Sequence, residues 1–185
     1  ALSSEAIGDV FGTDTATNFP NVTVSILTDG NDTTTLTSGS EIVATLDGTD
    51  TVYAGGANDK LIGGAGVDKL YGQAGADHLY GFKGNDILDG GDGNDKIVGG
   101  LGDDQIDGGA GNDYILAQTG NDIVVTGTGT DEVQAGLGDD AITVDGVGSK
   151  TIVGGTGTDN LNIIAFSNLS SATNLVLAND GSSFD

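Results

Sequence analysis

From Thr45 to Thr143 the chain repeats every nine residues without an insertion, as in TLDGTDTVY at 45–53, GGAGVDKLY at 63–71, GFKGNDILD at 81–89 and GGAGNDYIL at 108–116. Those 99 residues make eleven nonapeptides, and no ordinary globular core is compatible with so strict a period. The sixth position is Asp in every copy: Asp50, Asp59, Asp68, Asp77, Asp86, Asp95, Asp104, Asp113, Asp122, Asp131 and Asp140. Asp14 and Asp32 share that phase, so 13 of the 25 Asp fall in one phase of nine, where random placement would put about three. The eighth position is always aliphatic, from Val52 and Leu61 through Leu70, Leu79, Leu88, Ile97, Ile106, Ile115, Val124 and Val133 to Ile142, and the fourth is Gly except at Ala57.

These columns have different physical tasks. The 34 Gly come with a single Pro and no G-X-Y period, which excludes a collagen-like helix. Clustered in the first half of each unit, they mark a tight turn that needs positive φ. The last three residues are then an extended strand, with the eighth side chain inward and the seventh and ninth outward. One short strand per nonapeptide cannot close a core alone. Stacked as two strands and two turns per 18 residues, the units make an all-β fold of two short-stranded parallel sheets, a parallel β-roll with inward aliphatic ladders.

The same winding stacks carboxylates 18 residues apart at roughly 4.8 Å spacing. One column holds Asp14, Asp32, Asp50, Asp68, Asp86, Asp104, Asp122 and Asp140, and the other Glu41, Asp59, Asp77, Asp95, Asp113 and Asp131. Like charges this close oppose both ionisation and compaction, whereas a hard cation held by six to eight carboxylate and carbonyl oxygens turns repulsion into binding; calcium fits best. The formal charge of −23, with 5 Lys+Arg against 28 Asp+Glu, argues against nucleic-acid or anionic-membrane partners. No apolar run approaches the ~18 residues of a spanning helix, so membrane insertion is not expected. Absence of Cys removes disulfides and thiolate sites.

The nonapeptide resembles the G-G-x-G-x-D-x-U-x repeat, U being aliphatic, of the RTX (repeats-in-toxin) calcium-binding β-roll family, over roughly residues 45–162. The resemblance implies a right-handed roll with several structural Ca2+ ions between turns. It assigns them the position-six carboxylates of Asp32, Asp50, Asp59, Asp68, Asp77, Asp86, Asp95, Asp104, Asp113, Asp122, Asp131, Asp140 and Asp159. It also assigns carbonyls of the Gly-rich turns: Gly64, Gly66, Gly75, Gly84, Gly91, Gly93, Gly100, Gly102, Gly109, Gly111, Gly120, Gly129 and Gly138. Export by type I machinery into calcium-rich surroundings is a further implication, giving a secreted or cell-surface bacterial location.

After position 143 one extra residue, Val144, shifts the frame, and DGVGSKTIV at 145–153 and GGTGTDNLN at 154–162 continue the array, with Ile152 and Leu161 inward. The expected organisation is an N-terminal β cap continuing the coil over 1–35, the β-roll over 36–162, and a C-terminal cap or secretion-signal remnant over 163–185. No secretory leader is visible at Ala1, as expected of a mature form or an excised domain. Lys150 stands where the second column would place its next Asp. One reading makes it the replacement for a terminal Ca2+, and the other makes it a solvated lysine in a degenerate repeat. On one outer face Ile62, Tyr80, Val98 and Leu116 fall 18 apart. That stripe reads either as a surface for self-association or a neighbouring domain, or as cross-strand packing.

Catalysis is not expected. The sole His, His78, has no GxSxG or HExxH motif beside it, and DGGDGND at 89–95 lacks the twelfth-position Glu of an EF-hand loop. Two functional classes stay open: a structural, adhesive or S-layer-like extracellular module, and the accessory folding and type I secretion domain of a larger exported enzyme or toxin. Two buried aliphatic side chains per coil fall short of the conformational entropy of eighteen residues. The array is therefore expected to fold on calcium binding.

Overall fold

The computed structural model describes residues 22–163, 175–177 and 183–184, and among them every regular element is a strand. One sheet stacks, in order, Val22–Ile26, Ser40–Gly48, Lys60–Gly66, His78–Lys83, Lys96–Leu101, Tyr114–Thr119, Asp131–Leu137, Lys150–Thr156 and Leu175–Leu177. The other stacks Thr33–Thr35, Thr51–Tyr53, Lys69–Tyr71, Ile87–Asp89, Gln105–Asp107, Ile123–Val125, Ala141–Val144, Thr158–Ile163 and Ser183–Phe184. The chain alternates between the sheets, and neighbours within each sheet are parallel with an 18-residue offset, as in Leu61↔Leu79 and Ile106↔Val124. This is a β-roll with two strands per coil.

Alternation along each unit puts positions six, eight and one inward and positions five, seven and nine outward. The core is accordingly a pair of aliphatic ladders, fully buried from Val43 and Val52 to Ile142 and Ile152, with Leu161 partly buried against them. Between the ladders lie the small position-one residues Ala54, Ala117 and Ala135, also fully buried.

The sheets differ in a way the period does not show. Strands of the second sheet between Thr51 and Val125 are three residues long, as expected, but those of the first between Lys60 and Leu137 run six or seven because they continue into the turn. There Leu46, Gly64, Phe82, Gly100, Gln118 and Gly136 pair coil to coil. At the opposite turn only the third position bridges, through Gly56, Ala74, Asp92, Ala110 and Thr128. The extra residue Val144 lengthens one strand, points inward and is buried, which changes the offset to 19 from Asp131↔Lys150 onward.

Ile62, Tyr80, Val98 and Leu116 are cross-strand neighbours and all half-buried. The Tyr80 ring also receives Lys60 Nζ at 5.3 Å from its centroid and tilts against Phe82. On the other sheet Tyr53 and Tyr71 stack with centroids 4.9 Å apart. Of the expected end caps, Val22–Ile26 and Thr33–Thr35 extend the two sheets at one end, and Leu175–Leu177 and Ser183–Phe184 at the other. Asp14 and the remainder of both caps lie outside the described residues.

Candidate calcium sites

Because position six faces inward, its carboxylates are not on the rim of the roll but beneath its turns. Asp50, Asp59, Asp68, Asp77, Asp86, Asp95, Asp104, Asp113, Asp122, Asp131, Asp140 and Asp159 are all buried, and Asp32 is half-buried. Each column is stitched by one recurring bond, in which the backbone N–H of one member donates to Oδ1 of the member on the next coil. In the first column the distances are 2.7 Å from Asp32 to Asp50, 2.8 Å from Asp68 to Asp86, 2.8 Å from Asp86 to Asp104 and 3.2 Å from Asp140 to Asp159. In the second they are 2.7 Å from Glu41 to Asp59, 2.7 Å from Asp77 to Asp95 and 3.0 Å from Asp113 to Asp131. At the start of the first column Thr28 donates its N–H and hydroxyl to Asp32 Oδ2.

That bond occupies one oxygen of each buried aspartate and, except at Asp131, leaves the other orphaned. Oδ2 of eleven buried aspartates, Asp50 to Asp122 in both columns together with Asp140 and Asp159, has no protein partner, and nor does Glu41 Oε2. A buried unpartnered carboxylate oxygen is costly. Burial is the main force lifting these carboxyls, and the donated backbone N–H only partly offsets it. Asp68, Asp77 and Asp122 are raised to about 6 and Asp59, Asp104, Asp113 and Asp140 to about 7. For most of them neighbouring carboxylates on the same column add to the rise, as Asp86 and Asp122 do for Asp104. Asp86 and Asp95 are raised by the same burial.

The turns present the orphan oxygens with carbonyls. Positions two and four take positive φ throughout, including every glycine expected to supply a ligand: Gly64, Gly91, Gly100 and Gly109 at position two, and Gly66, Gly75, Gly84, Gly93, Gly102, Gly111, Gly120, Gly129 and Gly138 at position four. Successive carbonyls stack along the roll, so a Cβ added at Gly84 would collide with the Gly66 carbonyl. Position one contributes as well, a role that spacing alone does not reveal. A Cβ on Gly63 would sit 2.6 Å from Asp68 Oδ2 and 2.8 Å from the Gly81 carbonyl, and one on Gly72 would sit 2.6 Å from Asp77 Oδ2 and 2.5 Å from the Gly90 carbonyl. At Gly63, Gly72, Gly81, Gly90, Gly99 and Gly108 the missing Cβ keeps open the space beside the orphan oxygen of the same unit. The repeated G-G at the head of the units was the available signal.

A second column missing from the sequence expectations is position five. Its exposed Asx side chains accept a backbone N–H from the following coil, as Asn58 does from Ala76, Asn85 from Asp103 and Asn112 from Thr130. These bonds run opposite in sense to those at position six, so each turn is tied in both directions. Recurrent G-N-D was the sequence signal.

Only Lys150 breaks the pattern. It is fully buried, and its ammonium donates to the Gly127 carbonyl at 2.8 Å, the Gly129 carbonyl at 3.0 Å and the Asp131 carboxylate. The solvated reading of Lys150 is therefore incorrect: the stacked coils enclose the side chain within a set of three oxygens. A cation is thus seen against carbonyls of positions two and four and a carboxylate of position six.

A family profile described as RTX calcium-binding nonapeptide repeat (4 copies) matches residues 35–70, 44–79, 62–97, 80–115, 89–124 and 116–146, which together run from 35 to 146. The chain belongs to the RTX calcium-binding repeat family. No curated protein matches it. Among the described residues of this RTX array no three His, Asp or Glu side chains converge on one point, so side chains alone do not form a metal cage. Calcium takes oxygen ligands of mixed kind, including backbone carbonyls. The orphaned Oδ2 atoms, the carbonyls of the turns and the oxygens around the Lys150 ammonium together fit that preference.

Proposed function

We propose that this RTX chain is a structural, adhesive module of an exported bacterial protein, held in its roll by calcium ions between successive turns. The position-six aspartates with orphaned Oδ2 would hold the ions, together with carbonyls at positions two and four. Asp32 and Asp159 would close the first column. The ion supplies positive charge where the protein has buried negative charge without a partner, and links one coil to the next.

The supporting observation is the run of eleven buried aspartates with one oxygen satisfied and the other not. Such a stack opposes its own folding until a cation arrives. Extracellular modules bind calcium at about 10⁻⁴ to 10⁻³ M, well above cytosolic levels. The chain would then stay unfolded during synthesis and wind up after export. A calcium titration followed by far-UV circular dichroism and hydrodynamic radius tests this. A cooperative gain of β signal with contraction in the sub-millimolar to millimolar range is expected, and a spectrum and radius unchanged by chelation would refute it.

A further inference from the structure

The second carboxylate column ends on an amino group. We propose, resting on the calcium reading of the earlier aspartates, that the Lys150 ammonium is the resident cation of the Asp131 position and closes it to calcium. Asp131 then pairs with lysine while the preceding members of its column face metal.

Three independent features of the site carry this. An ammonium has three N–H donors and no acceptor. Lys150 Nζ meets three oxygens, all from the unit 126–134, so its donors are spent within one turn. Asp131 is also the one buried aspartate of either column whose Oδ2 is not orphaned, because Lys150 pairs with it. Finally, the column's own stitching stops here. With no carboxylate at residue 150, the Asp131 N–H donates to the Ser149 carbonyl at 2.9 Å. Lys60, Lys69 and Lys83 are exposed and Lys96 is half-buried, so fully burying an ammonium is specific to Lys150.

The consequence is a difference between the two columns. The first continues past the Val144 insertion to Asp159, whose Oδ2 is orphaned like those before it. The second carries its last positive charge covalently, so in the wound roll one inter-turn position takes no calcium at any concentration.

The test uses the full chain labelled with ¹⁵N-lysine and loaded with calcium, together with Lys150→Met and Lys150→Asp. In the wild type one Nζ resonance, absent from Lys150→Met, should exchange with water at least tenfold more slowly than the other four. Lys150→Asp restores the acidic column and should bind one more calcium per chain than the wild type by calorimetry and elemental analysis. A Lys150 resonance exchanging like the other four overturns the proposal, as does an unchanged ion count in a folded Lys150→Asp protein. If Lys150→Asp does not fold, the exchange rate in the wild type decides alone. A wild type that binds no calcium yet keeps a slowly exchanging Lys150 ammonium would remove the calcium reading and overturn the exclusion of metal from Asp131, while the buried lysine itself would stand.

Discussion

Replacing Asp104 by Asn should help the metal-free roll and weaken its response to calcium. Asp104 Oδ1 accepts the Asp86 N–H at 2.8 Å, and an amide oxygen can keep that bond. What the substitution removes is the charge on Oδ2, which is buried and unpartnered. The Asp104 carboxyl is raised from 3.8 to about 7, so at pH 8 the metal-free fold bears a penalty on the order of 4 kcal/mol for ionising it. For an acid raised in the folded state, that penalty grows as pH climbs from about 4 to about 7 and is then constant. Without metal, Asp104→Asn should therefore stabilise the roll by up to that amount at pH 8 and hardly at all at pH 4. With calcium most of that advantage should disappear, because one ion held at 100 times its Kd contributes about 2.7 kcal/mol that the variant forgoes. The assay is far-UV circular dichroism in chelator and in calcium, on Asp104→Asn and on a cumulative series adding Asp86→Asn and Asp122→Asn. Residual β signal in chelator should rise along the series while the calcium-induced gain falls. If the variants are less structured than the wild type in chelator at pH 8, buried charge is not what holds the metal-free chain open.

Asp59, Asp104, Asp113 and Asp140 are raised to about 7 only in the wound, metal-free roll, so proton release separates binding to a preformed roll from binding coupled to folding. A chain unfolded before binding has these carboxyls ionised at pH 6.5 already, so titration calorimetry in buffers of different ionisation enthalpy should show almost no slope there, and a clear slope would mean that the roll is wound before calcium arrives. Gly84→Ala should prevent normal winding, since Gly84 has φ 128° and a Cβ there collides with the Gly66 carbonyl, whereas Gly56→Ala, whose nearest contact is the Ala74 carbonyl at 3.7 Å, should melt within a degree or two of the wild type. Asn112→Ala leaves the Thr130 N–H without its 2.7 Å acceptor and should cost about 1 kcal/mol in thermal melts with no change in the number of ions bound.

The architecture was legible in the sequence because it depends on spacing. Asp at six and an aliphatic at eight lie two apart on an extended segment, so both face inward, and an 18-residue coil stacks each on its own kind. What stayed hidden depends on contacts between coils. Asn58, Asn85 and Asn112 look like ordinary turn residues until the coil behind supplies the N–H they accept. Gln73, Phe82 and Gln118 take positive φ although their residue types do not announce it, because the glycines around them fix the turn. The longer strands of the first sheet likewise reflect backbone pairing inside one turn, to which side-chain periodicity is blind. Lys150 had two readings in the sequence, since its surroundings exist only once residues 127–131 are laid against it.

If the second oxygen of each buried aspartate is a cation ligand, diffraction from calcium-loaded crystals, with anomalous differences collected at long wavelength, must show the ions beside it. Peaks are predicted beside Oδ2 of Asp68, Asp77, Asp86, Asp95, Asp104 and Asp113, and none between Asp131 and Lys150. Well-ordered carboxylates without an anomalous peak next to them would contradict the assignment.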